Sequence, residues 1–141
     1  MNKEQLLQEV DRLEPLCSEV AETIWNRPEL GGSEQHAADY FRGLLEKEGF
    51  RIVNEEKLPH AFYAEYGSGK PVLVILGEYD ALPGLSQKVS ATKEPVKEGA
   101  PGHACGHNLI GAGSVTAAIA IKRYLETTGT QGTVRFYGCP E

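Results

Sequence analysis

A chain of 141 residues with 40% hydrophobic residues can build one hydrophobic core and is short for two, so a single domain is expected. Its 14 Lys and Arg against 20 Asp and Glu give a net charge of −6 with no basic patch, which argues against a nucleic-acid partner. No apolar run has the length of a membrane span and no signal-type segment opens the chain, so neither membrane insertion nor secretion is expected.

In chain order, Leu6, Val10, Leu13, Cys17, Val20 and Ile24 form a helical stripe, with Cys17 on the core side. Pro15 interrupts this stripe and predicts a kink or a restart, because proline lacks the N–H and clashes with the preceding turn. Trp25 to Gly32 reads as a loop. Ser33 is the expected N-cap of a second helix reaching Glu48, with Ala37 and Phe41 facing inward, His36 solvated and Gly49 as the stop. Phe50–Asn54 and Ala61–Tyr66 read as strands. Pro71 to Gly77 is a continuous aliphatic run between turn residues, the pattern of a strand covered on both faces, and a central place in the sheet follows. The stretch from Gly84 to Gly102 is too long for a turn and reads as a functional loop. A buried helix is expected over Leu109–Leu125, then a strand over Thr133–Tyr137. Alternating helices and strands of these lengths predict an α/β fold with a mixed, largely parallel central sheet and helices on both faces.

Between the long loop and the last helix lies Gly102-His103-Ala104-Cys105-Gly106-His107-Asn108. Side chains at alternate positions of an extended segment share a side, so His103, Cys105 and His107 can face one point, which is a metal-ligand spacing. Asn108 is the expected helix N-cap, and a helix N-terminus favours a thiolate at Cys105. In α/β sheets functional groups collect at the carboxyl ends of strands. The run ending at Gly77 delivers Glu78 and Asp80 there, and the last strand delivers Glu141. Glu78 and Asp80 share a side, where one of them can bind a metal or hold a metal-bound imidazole. Cys17, Cys105 and Cys139 are odd in number and widely spaced, which suits a reducing cytoplasm better than a disulfide framework.

The segments Trp25–Gly31, Gly77–Gln87, Gly102–Asn108 and Gly132–Glu141 together resemble the amidohydrolase branch of the zinc aminopeptidase/carboxypeptidase-like metallopeptidases. The resemblance covers nearly the whole chain. It implies a zinc-exopeptidase-like fold, truncated, with residues 1–141 as the N-terminal part of a catalytic domain whose remainder and dimerisation domain lie elsewhere. It further implies a pair of divalent ions, zinc or manganese, with Cys105 and His107 as ligands, His103 in a less defined role and Asp80 supporting the centre. Glu141 falls at, or one residue before, the general base. The implied reaction is hydrolysis of the amide bond of a small N-acyl amino acid, p-aminobenzoyl-glutamate being one such substrate, in a homodimer or heteromer. The 141-residue chain alone is then expected to be inactive. Two alternatives stay open on the sequence: cysteine-dependent acyl transfer through Cys105, and a non-catalytic module with one structural metal.

Overall fold

The computed structural model describes residues 1–141. The chain opens with helix α1 (Lys3–Arg12), started by a capping box in which Asn2 and Gln5 exchange side-chain and backbone hydrogen bonds of 2.9 and 2.8 Å. Leu13 ends α1 and introduces α2 (Glu14–Trp25), whose first turn contains Pro15. The proline therefore restarts the helix, since its missing N–H is harmless in the first turn.

Helix α3 (Gln35–Lys47) begins two residues beyond Ser33, which does not cap it. Its free N–H groups are taken from a distance, by the Glu29 carboxylate, which accepts from the His36 and Ala37 amides at 3.0 and 2.8 Å. His36 is half-buried and stacks on Tyr40, with its Nδ1 buried, so the expected solvated face is corrected there.

Strands β1 (Arg51–Asn54) and β2 (Phe62–Ser68) form a hairpin, followed by β3 (Val72–Glu78), helix α4 (His107–Thr128) and β4 (Gly132–Cys139). The strands form one mixed sheet in the order β1-β2-β4-β3. The mixed α/β class expected from the sequence is borne out. Parallel pairing does not dominate, however: β1–β2 and β2–β4 are antiparallel, and only β3–β4 is parallel.

One face of the sheet carries the core. Phe62 and Ala64 of β2 and Val134 and Phe136 of β4 are buried against Phe41 and Leu45 of α3 and Ala112, Val115 and Ile119 of α4. Gly138, in register with Phe62, and Gly77, in register with Gly138, leave room for the rings of Phe62 and Phe136, which a Cβ at either position would strike. Phe41 stacks on Phe136 and on Tyr79, with centroids 5.7 and 5.4 Å apart.

The opposite face is not covered by helices. It carries the pairing of Glu65 with Arg51 and Arg135, the stacked Tyr63 and Tyr137, and exposed Val72, Val74 and Leu76. Two expectations change here: helices cover one face rather than both, and β3 is an edge strand rather than a central one. An aliphatic run reports how apolar a strand's surroundings are expected to be, and carries no information on its lateral neighbours. No helix is long and apolar enough to cross a membrane.

Candidate metal centre

The parallel pair β3–β4 sends both strands toward the same end of the sheet, and α4 starts beside it. Beyond Gly77, Tyr79 turns into the core, wholly buried, and its hydroxyl donates to the His60 carbonyl. Burial pushes the Tyr79 hydroxyl far above its ordinary pKa, so it serves as a neutral anchor. With Tyr79 pointing inward, Glu78 and Asp80 are both free to reach the start of α4.

Asp80 is buried, and its Oδ1 lies 2.7 Å from His107 Nδ1. Glu78, half-exposed, places Oε2 3.1 Å from Nε2 of the same ring. Asp80 thus fixes the ring and its tautomer by accepting the Nδ1 proton. That leaves Nε2 and a Glu78 oxygen facing one another as two lone-pair donors, a contact that is favourable only with a proton or a cation between them. Neighbouring ligands on one tetrahedral zinc ion, with bonds of about 2.0–2.2 Å, lie roughly 3.3–3.6 Å apart, so the two groups need to part by only a few tenths of an ångström to admit one. The pair fits a divalent cation as one wall of a site. It does not complete one: no three His, Cys, Asp or Glu side chains converge closely enough to hold an ion among them.

The remaining sequence candidates are placed as follows. Helix α4 begins at His107, ahead of the start that the apolar pattern suggests, and its N-cap is Gly106, with φ of 85°. Asn108 is therefore not the cap. It is buried within the helix, donating to the Ala21 carbonyl at 3.2 Å. A left-handed residue is needed where the loop turns into the helix, and glycine adopts that conformation without the clash a Cβ brings. Gly111, one turn on, lets α4 lie against β3: a Cβ there would be 2.8 Å from the Glu78 carbonyl oxygen and from Phe41.

Cys105 is exposed at the turn before α4. Neither imidazole of the motif hydrogen-bonds its thiol, since His107 faces Asp80 and Glu78 and both His103 nitrogens lack a partner of normal geometry. His103 is 5% exposed, set into the interior by the paired Leu82 and Gly102 backbones. Burial holds its pKa below the ordinary imidazole value and nearby His107 adds to this, while the Ile24 backbone and Asp80 act in the opposite direction.

Glu141 follows β4 and is held by a residue the sequence did not mark. The Glu34 carboxylate is fully buried, and its Oε1 accepts the Glu141 amide at 3.1 Å while Oε2 has no partner. The Glu141 side chain packs over Gly31, where any Cβ would collide with it. The same turn reaches β3's exit, because the Glu29 carbonyl accepts the Ala81 amide at 2.7 Å. The Glu29–Glu34 turn therefore braces both strand ends that carry site carboxylates. A lone Glu near a helix start ordinarily reads as a surface residue, so no sequence signal identified Glu34.

No family model matches the chain. It is 48% identical over 125 residues to a subunit of p-aminobenzoyl-glutamate hydrolase from Escherichia coli, a match covering 87% of this chain and 26% of that protein. It is 30% identical over 131 residues to the human Xaa-Arg dipeptidase, covering 83% of this chain and 26% of the relative. The fold superposes on the Bacillus subtilis YxeP protein, a dinuclear metal-binding peptidase of the M20 family, with a TM-score of 0.76 and 24% identity over 92% of this chain and 36% of that one. The chain thus spans about a quarter of the length of these curated relatives. The proteins it resembles are named as hydrolases and peptidases, and the resemblance read from the sequence is borne out at that level.

Proposed function

From this kinship with the p-aminobenzoyl-glutamate hydrolase subunit of E. coli, we propose that the chain supplies one wall of a metal-dependent amidohydrolase site, acting on N-acyl amino acids such as p-aminobenzoyl-glutamate. The observation that carries the proposal is the His107 ring held on one nitrogen by Asp80 and faced on the other by Glu78. His107 Nε2 and Glu78 would hold the ion on this wall. Cys105, exposed one residue before the cap, is the thiol of the same motif and the further donor proposed for this wall. A bound divalent ion supplies Lewis-acid polarisation of the amide carbonyl and lowers the pKa of an attacking water.

The chain's own residues have four tasks. Asp80 keeps the Nδ1 proton in place, so that His107 presents an unprotonated Nε2. Glu78 adds negative charge beside it. Glu141, or the position after it, is the proton carrier, taking the proton of the attacking water and passing it to the leaving amine. Glu34 and Gly31 hold that strand end in position.

The 141 residues form part of a larger catalytic unit, in keeping with the quarter of the relatives' length that they match. The E. coli relative is named as a subunit, which supports association of the complete enzyme with another copy or another chain. Zinc and manganese both suit an imidazole and carboxylate donor set. Three unpaired cysteines, one of them exposed, suit a cytoplasmic setting. Two activity measurements test the proposal. The purified 141-residue chain with zinc or manganese should leave p-aminobenzoyl-glutamate intact, whereas the E. coli relative with its matching segment replaced by this chain should hydrolyse it and lose that activity on His107→Ala. Turnover by the isolated chain, or a folded chimera indifferent to His107→Ala, refutes it.

A further inference from the structure

On the bare face of the sheet the register aligns Val53 of β1 with Tyr63 of β2, and Tyr63 with Tyr137 of β4, so three side chains stand in one row. The two tyrosine rings stack, with centroids 5.4 Å apart. The turn joining β1 to β2 lies beside this row and carries Leu58, which is 57% exposed. Between that turn and the end of β4 is a cavity of about 420 Å³, with Val53, Leu58, Tyr63, Tyr137 and Pro140 among its walls and Asn54, Glu55 and Glu141 as its polar lining. Small-molecule sites have this size and this mixture of apolar and aromatic walls with a few polar groups.

Charge and position decide what the cavity takes. No lysine or arginine lines it, while two glutamates do. Arg135, which lies over the Tyr63 ring at 5.3 Å, is already paired with Glu65. An anion entering here would lose its water without gaining a partner. A neutral ring gains aromatic contact and, where it carries N–H groups, finds acceptors at the rim. The cavity also reaches the metal wall: Cys139 lines it and is in register with Glu78 on the neighbouring strand, and Glu141 borders it.

We propose that this cavity binds an uncharged aromatic amide, with its ring against Tyr63, Tyr137 and Leu58 and its N–H groups toward the acidic rim. The biological ligand rests on the proposed function: the aryl acyl group of the N-acyl amino acid occupies the cavity, and the carboxylates of the amino acid stay outside it. Binding of the ring itself does not depend on that function.

The experiment is a titration of the 141-residue chain with 4-aminobenzamide, followed in the amide NMR spectrum, with 4-aminobenzoate as the anion of the same shape. 4-Aminobenzamide should give saturable shifts centred on Tyr63, Tyr137 and Gly138, with a dissociation constant on the order of 1 mM, the strength open to so small a ligand. 4-Aminobenzoate should bind about tenfold or more weakly. Leu58→Ser, a change at an exposed position that should leave the melting temperature as it was, should weaken 4-aminobenzamide about fivefold. No saturable shift, shifts centred elsewhere, equal affinity for the acid, or unchanged affinity in Leu58→Ser overturns the proposal. A failed titration beside an active chimera removes the cavity and leaves the hydrolase; a successful titration beside an inactive chimera does the reverse.

Discussion

Asp80 acts on His107 through one hydrogen bond of 2.7 Å in a buried setting, and its effect on a bound cation passes through that bond. Asp80→Asn should therefore weaken zinc binding by the 141-residue chain about tenfold or more while leaving the fold intact, as read by calorimetry. Equal affinity in the two proteins would remove Asp80 from the site. Glu34 is tested by a pair of substitutions. Glu34→Ala removes the buried acceptor of the Glu141 amide and should cost roughly 1–3 kcal/mol in chemical denaturation. Glu34→Gln keeps an acceptor and should cost clearly less. At this scale the sequence was informative for His107 and Asp80, whose pairing follows from alternate spacing and strand-end placement. It was silent on Glu34 and Glu29, because burial of a carboxylate depends on a backbone amide far along the chain in one case and on a turn folding back on its own helix in the other.

Among the elements, α4 and β3 are the pair whose contact sets the site. Gly111 allows it, and Gly111→Ala should push the helix from the Glu78 carbonyl, costing about 1–3 kcal/mol and lowering metal affinity together. A variant as stable as the parent would show that α4 has room to shift. The hairpin and β4 are joined on the bare face by Glu65, whose carboxyl is held below the ordinary carboxylate range by its hydrogen bond to Arg51 and then by that to Arg135. Because the folded-state pKa is the lower one, the unfolded chain binds the proton more readily. The stabilisation is complete above the ordinary carboxylate range and is lost as pH falls through the folded value. Glu65→Gln should flatten this acid limb in denaturation curves collected at decreasing pH; an unchanged limb would place the acid sensitivity elsewhere. Helix and strand existence was legible from periodicity. The position of β3 at the edge and the antiparallel β2–β4 pairing were not, since lateral order in a sheet is decided by long-range pairing that leaves no local period.

For the whole molecule, the uneven cover of the sheet is the dominant property. Val74 and Leu76, 54% and 60% exposed, lie on a free edge strand, the kind of surface that drives association. Val74→Lys with Leu76→Lys should raise the solubility of the 141-residue chain without lowering its melting temperature, and a large drop in melting temperature would mean that the face is packed in solution. The central claim is that these 141 residues suffice to fold the His107 wall and present it to a cation, yet do not suffice for chemistry. The most direct measurement is the ¹⁵N NMR spectrum of the histidine rings during a zinc titration of the isolated chain. The expected result is a zinc-dependent shift at Nε2 of His107 with its Nδ1 still protonated toward Asp80, the amide spectrum otherwise preserved. A His107 ring untouched by zinc, or metallated at Nδ1, would contradict the account.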